Sequence, residues 1–208
     1  MKMMNSEKLN IIQAADLNEL SQKALEFFVN FVRASLRWQD KFYLAVSGGK
    51  TPHHFYQLLE TDKQSLELPW HRIELFWVDE RCVPPDSPDS NYKLAADTFL
   101  KTVPVPLQNI HRIHGEYSDY LKAVREYDET LRKVFNLQQG KRPVFDLMIL
   151  GMGADGHIAS LLPDSYAIFD TEDLVTQVYR FGEGHNRITL THPVICNSRQ
   201  LLVLVSGR

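Results

Sequence analysis

Phe145-Asp146-Leu147-Met148-Ile149-Leu150 runs directly into Gly151-Met152-Gly153-Ala154-Asp155-Gly156-His157-Ile158-Ala159-Ser160. The first six residues, apolar except for Asp146, form a run of strand length. The next seven hold three glycines, one carboxylate and one imidazole. A buried strand that ends in such a loop delivers polar side chains to the carboxyl edge of a sheet, where open α/β folds bind ligands. Glycines there allow positive φ and close approach of backbone to a ligand. The segment therefore reads as an active-site loop with His157 as its proton-transfer group. The alternative is a glycine turn around a hydrogen-bonded structural histidine.

Outward from this loop, helical and strand patterns alternate. Asp16 is placed to cap a helix reaching about Ala34, with Leu17, Leu20, Ala24, Phe27, Phe28, Phe31 and Val32 on its apolar side. Lys41–Val46 reads as a strand. Ser47-Gly48-Gly49-Lys50-Thr51-Pro52 follows, with Thr51 as a helix cap and Pro52 in the first turn. Ile73–Val78 reads as the next strand, Tyr92–Leu100 as a short helix and Ile110–Ile113 as a strand. Asp119 to about Asn136 predicts a helix whose apolar side carries Leu121, Val124, Tyr127, Leu131, Val134 and Phe135. Leu174–Tyr179, Ile188–Thr191 and Leu201–Val205 predict three more strands. This alternation specifies an α/β fold with a parallel or mostly parallel sheet covered on both faces.

In such a sheet three polar clusters share one edge: Ser47–Thr51, Asp79-Glu80-Arg81 and Gly151–His157. The first suits phosphate, through backbone N–H groups at Gly48 and Gly49, hydroxyls of Ser47 and Thr51, and a helix N-terminus. It is not a GxxxxGK[ST] loop, and a ligand-free strand-to-helix turn is its alternative. Asp79-Glu80-Arg81 is either part of the site or a solvated rim of ion pairs. Arg187 is an anion contact or a surface residue. Arg208 is a phosphate contact or part of a frayed end. Asp155 can orient His157 or hold a substrate hydroxyl.

Composition sets bounds on these readings. The 208 residues carry a formal net charge of -3, with 44% hydrophobic and 24% charged residues. One soluble domain is expected, without a general attraction to nucleic acid or membrane. Cys82 and Cys196 form no CxxC pair, which fits a reducing, cytoplasmic setting without disulfides or zinc. Met1–Asn10 lacks an apolar core of signal-peptide type. His53/His54 and His111/His114 lack the spacing and partners of metal ligands. Ser160 has no GxSxG elbow around it.

Four motifs resemble the 6-phosphogluconolactonase family: Ser47-Gly48-Gly49-Lys50-Thr51-Pro52; Val78-Asp79-Glu80-Arg81-Cys82-Val83-Pro84 with Ser90-Asn91-Tyr92; Gly151–His157 with Ser160-Leu161-Leu162-Pro163; and Arg187-Ile188-Thr189-Leu190-Thr191. The resemblance implies a three-layer, Rossmann-like sandwich. It implies hydrolysis of 6-phospho-D-glucono-1,5-lactone in the oxidative pentose phosphate pathway, with no cofactor and no metal. His157 would be the general base and Asp155 its partner or a hydroxyl ligand. Backbone N–H groups of the glycine loops, with Arg81 as a further candidate, would hold the oxyanion. Ser47, Gly48, Gly49, Lys50 and Thr51 would hold phosphate with Arg187 and Arg208. Asp79, Asn91 and Gly153 complete the substrate-binding set.

Glucosamine-6-phosphate deaminases share the SGG-x-TP and DGH loops. They carry a Phe-Asn-Glu-Pro run and an aromatic after the Asp-Glu pair, where this chain has Ser160–Pro163 and Arg81. A deaminase-like enzyme and a non-enzymatic sugar-phosphate sensor are the alternatives. The expected partner is a small sugar phosphate, with neither nucleic acid nor membrane, in a monomer or small homo-oligomer. The family usually continues past the Gly207 position to a Lys and a final helix, so residues 1–208 are expected to be one sugar-phosphate-binding domain lacking that segment.

Overall fold

The computed structural model describes residues 9–163, 165–180 and 184–207. The Asp16 carboxylate accepts the Glu19 N–H and starts α1 (Leu17–Ser35), which buries Leu25, Phe28, Val29 and Val32. The other helices are α2 (Lys50–Thr61), α3 (Lys63–Leu66), α4 (Asn91–Asp97), α5 (Tyr120–Val134) and α6 (His192–Cys196). The strands are β1 (Phe42–Val46), β2 (Ile73–Trp77), β3 (Asp79–Arg81), β4 (Ile110–His111), β5 (Leu147–Gly151), β6 (Val175–Val178), β7 (Arg187–Leu190) and β8 (Leu201–Leu204).

Five strands form a parallel sheet in the order β4-β2-β1-β5-β8. Strand residues alternate between two covered faces. Phe42 on one face meets Phe31 of α1 at 5.9 Å between ring centroids. Tyr43 on the other face stacks against Phe135, at the end of α5, at 4.4 Å, and Phe76 meets the same ring at 5.5 Å in a tilted arrangement. Helices thus sandwich the sheet in three layers, as expected. The chain builds outward from β1 through β2 to β4, then returns to place β5 on the other side of β1. That reversal is a topological switch point, where a crevice opens beyond the strand ends.

The second sheet departs from expectation. β6 and β7 do not extend the parallel sheet but pair antiparallel with each other and with β3, in the order β3-β7-β6. Val78 links the sheets: its N–H donates to the Val46 carbonyl at 2.9 Å and its carbonyl accepts the Leu190 N–H at 2.8 Å. Asp79-Glu80-Arg81 is therefore a paired strand rather than a solvated rim. Leu121 is exposed, and Ala123, Tyr127 and Leu131 are the residues that α5 buries. The cap of α2 is Gly49, at φ 110°, rather than Thr51. A side chain there would be strained in that conformation. The Thr51 hydroxyl instead bonds to the Ser206 hydroxyl at 2.6 Å.

Candidate active site

The crevice at the switch point is an open cleft of about 540 Å³. Its walls come from the loops after β1 and β5, from β3, from the start of α4 and from β7. The Ser47 hydroxyl accepts the Gly151 N–H at 3.1 Å and the Ser47 N–H donates to the Ile149 carbonyl at 3.1 Å, which joins the first two loops. The three polar clusters expected to share one edge do converge.

His157 lines the cleft, with its side chain 23% exposed. Its Nδ1 lies 2.5 Å from Oδ1 of Asp155. The hydrogen bond from His157 holds the Asp155 carboxyl below its ordinary value. An ionised carboxylate only accepts, so Nδ1 carries a proton, and in the neutral imidazole the lone pair is on Nε2. Of the two roles open to Asp155, the geometry shows contact with the imidazole. The loop leaves no room beside this pair. A Cβ on Gly153 would fall 2.3 Å from His157 Cε1 and 2.7 Å from Asp155 Oδ1. The Gly153 N–H donates to the His157 carbonyl at 2.8 Å, which closes the turn.

The Ser47–Thr51 loop is held from behind. Ser47 is buried and its carbonyl accepts the Tyr56 hydroxyl at 2.6 Å. Asn91 packs over Gly48 so closely that a Cβ there would lie 1.8 Å from Asn91 Oδ1. The Asn91 amide donates to the Asp79 carbonyl at 2.9 Å and to its carboxylate at 3.3 Å. Asn91 is itself buried, so it fixes the shape of the loop. Gly49, Lys50 and Thr51 line the cleft at the N-terminus of α2, where a helix attracts negative charge.

The strand β3 sends its side chains to different tasks. Glu80 turns away from the cleft and accepts the N–H groups of Arg81, Asn91 and Tyr92 at 2.8, 2.7 and 2.7 Å and the Ser90 hydroxyl at 3.0 Å. Burial pushes its carboxyl above the ordinary value, and these donors oppose the shift. Glu80 thereby anchors the start of α4 and positions Asn91. Asp79 accepts the Ser160 hydroxyl at 2.6 Å and lies 3.9 Å from Arg187 Nη1. Arg81 and Arg187 both line the cleft, and they are direct partners in the β3–β7 register. Like charges directly opposite across strands repel. The Nε atoms of both are buried without a hydrogen-bond partner. Burial pulls the Arg187 guanidinium below its ordinary value. Two facing cations in a cleft that also holds Lys50 make a site suited to an anion.

The family model described as glucosamine-6-phosphate isomerases/6-phosphogluconolactonase matches residues 15–208. The chain belongs to this family. Among curated relatives, it is 34% identical to the 6-phosphogluconolactonase of Nostoc sp. over 92% of this chain and 78% of that protein. It is 38% identical to the probable 6-phosphogluconolactonase 4 of Arabidopsis thaliana, over 89% and 75%. Among solved structures, the 6-phosphogluconolactonase from Thermotoga maritima shares 30% identity at a TM-score of 0.79, covering 91% of this chain and 81% of that one. The Trypanosoma brucei 6-phosphogluconolactonase shares 28% at 0.85, covering 97% and 83%.

Of the residues expected in a site of this family, Ser47, Gly48, Gly49, Lys50, Thr51, Asp79, Arg81, Asn91, Gly153, His157 and Arg187 all line the cleft, and Asp155 reaches it through His157. Arg208 lies outside the described residues. Sequence reading missed Ala159, which lines the cleft at φ 52°, and the buried Ser160 and Thr189 behind Asp79. The Ser160 N–H points to the Thr189 hydroxyl at 3.4 Å. An alanine in the left-handed region carries no sequence signal. Among the described residues, no helix is long and apolar enough to cross a membrane.

Proposed function

We propose that this protein hydrolyses 6-phospho-D-glucono-1,5-lactone to 6-phosphogluconate, with residues 1–208 acting as one sugar-phosphate-binding unit. The observation that carries the reading is the Asp155–His157 bond. It commits Nδ1 to the carboxylate and leaves Nε2 as a proton acceptor in the same cleft as two opposed arginines.

Nε2 of His157 takes a proton from a water as its oxygen attacks the lactone carbonyl carbon. Asp155 stabilises the imidazolium that forms. Backbone N–H groups of the glycine loops face the negative charge on the carbonyl oxygen. The tetrahedral intermediate then expels the ring oxygen, which takes the proton back from His157. A lactone is an activated ester. A positioned base worth ~10²–10⁴-fold and an oxyanion donor worth ~10²–10³-fold give a useful rate without a covalent nucleophile. Arg81 and Arg187 receive the phosphoryl group together with the α2 N-terminus and Lys50. Binding dianionic phosphate between the facing guanidinium groups relieves their repulsion, so the anion completes a site that is electrostatically strained without it.

Amine chemistry fits less well. The run after His157 offers no carboxylate to the cleft up to Pro163, and Leu161 and Leu162 are buried in the core. The test is lactone disappearance with the spontaneous rate subtracted, beside ammonia release from glucosamine 6-phosphate. Enzyme-dependent loss of lactone and no ammonia is expected. Ammonia release without lactone hydrolysis would overturn the reading.

A further inference from the structure

Ser160 stands between two groups of opposite charge in the cleft wall, Asp79 and Arg187. Its hydroxyl is fully buried. It donates its one proton to Asp79 Oδ2 at 2.6 Å and presents its lone pairs to Arg187 Nη1 at 3.5 Å. Asp79 and Arg187 remain 3.9 Å apart at their nearest atoms, too far for a direct hydrogen bond. A buried carboxylate beside a guanidinium would ordinarily close to a bidentate pair at hydrogen-bond distance. The other oxygen of Asp79 is held by the Asn91 amide at 3.3 Å, so the carboxylate is tethered on both sides away from the arginine.

We propose that Ser160 is a positioning residue that keeps Asp79 from closing onto Arg187 as a hydrogen-bonded pair, and so leaves the Arg187 N–H donors available for the phosphoryl group of the substrate. The inference rests on the reading of the cleft as a phosphate-accepting site. The charges facing Arg187 are Asp79 and, more remotely, Glu80, against Arg81 and Arg180. Asp79 is the carboxylate near enough to pair with it. With Ser160 removed, Asp79 Oδ2 loses a donor and Arg187 is the donor available to replace it. The pair then closes. Anion affinity falls although no residue touching the anion has changed.

The test is calorimetric titration of wild type, Ser160→Ala, Asp79→Asn and the double variant with inorganic phosphate and with 6-phosphogluconate. Ser160→Ala should bind both about tenfold more weakly, as expected for diverting one charge-assisted contact. Its loss on the phosphorylated lactone should appear in KM rather than kcat. Asp79→Asn keeps an acceptor for Asn91 and removes the competing charge, so it should bind phosphate at least as tightly as wild type. The double variant should recover what Ser160→Ala lost. Unchanged affinity in Ser160→Ala, or a double variant as weak as that single one, would overturn the proposal. Should Ser160→Ala not fold, Asp79→Asn decides alone: weaker phosphate binding means that Asp79 supports the site structurally. Absence of lactonase activity in wild type would defeat the functional reading and leave the phosphate titrations to judge Ser160 separately.

Discussion

Nδ1 of His157 lies 2.5 Å from Oδ1 of Asp155, two residues upstream on the same glycine turn. The bond decides which ring nitrogen holds the proton. It also ties the imidazole to a turn in which a side chain at Gly153 would displace the pair. Base, orienting carboxylate and the space they need are thus encoded within five consecutive residues.

Replacement of His157 by Ala should lower kcat by ~10²–10⁴-fold, the usual worth of a positioned base, with little change in affinity for 6-phosphogluconate. The measurement is lactone disappearance corrected for spontaneous hydrolysis. Wild-type turnover in the variant would remove His157 from the mechanism.

The Asp155 carboxyl is held below its ordinary value by the bond from His157. A depressed carboxylate contributes its stabilisation above its unfolded value and loses it as pH falls through the folded one. Through the weakly acidic range Asp155 therefore stays ionised and keeps accepting the Nδ1–H of His157. Asp155→Asn replaces that charged acceptor by a neutral amide, so the imidazole loses its fixed orientation and counter-charge and kcat should drop across the pH range. A pH–rate profile of both enzymes checks this, and a variant with wild-type kcat throughout contradicts it.

Gly153→Ala should cost kcat ~10²-fold or more, because displacement of a catalytic group by about 1 Å costs that much. The added methyl would meet the imidazole and the carboxylate at 2.3–2.7 Å, and the side chains must move. Because the turn is partly open to solvent, the melting temperature should change little. A variant that loses stability and retains turnover would place the role of Gly153 in folding instead.

The parallel sheet was legible because β1 and β5 are apolar runs and β2 is interrupted only by Glu74, each followed by glycines or charges. Period alone cannot distinguish a buried parallel strand from an antiparallel one. That ambiguity hid the second sheet and left a solvated rim open as the alternative for Asp79–Arg81. The cleft residues were legible where chemistry and backbone demands coincide, as at Gly153 and His157. Ser160, Thr189 and Glu80 were not, because their partners Asp79, Asn91 and Tyr92 are distant in sequence or on another element. Thr51 looked like a cap because a hydroxyl before proline is the usual signal, and Gly49 took the position through its φ of 110°.

Glu80→Gln keeps the size of the side chain but turns an acceptor oxygen into a donor against a buried cluster of donors. Three N–H groups and one hydroxyl point at the carboxylate. One or more would be left unsatisfied, at ~1–3 kcal/mol each. The expected result is a lower midpoint in urea, with weaker substrate binding because Asn91 loses its anchor over Gly48. Unchanged stability would mean that α4 holds its start without the carboxylate.

Arg81→Gln separates binding from stability. In the register of β3 and β7, Arg81 faces Arg187, and relief of a like-charge cross-strand pair is worth ~0.2–1 kcal/mol. Against that gain, the variant gives up the bond from Arg81 Nη1 to the Asp89 carbonyl at 2.5 Å, which lies at an exposed position. The melting temperature should therefore hold or rise, while KM for the phosphorylated lactone increases. KM for unphosphorylated gluconolactone should stay near its wild-type value, since that substrate carries nothing for the guanidinium pair to hold. Equal losses on the two lactones would instead place Arg81 at the carbonyl oxygen. A fall in kcat rather than a rise in KM would say the same. Paired steady-state kinetics on both substrates, with thermal unfolding in the presence and absence of phosphate, distinguishes these outcomes. Phosphate should raise the melting temperature of wild type more than that of the variant, because only wild type has two opposed cations for the anion to reconcile.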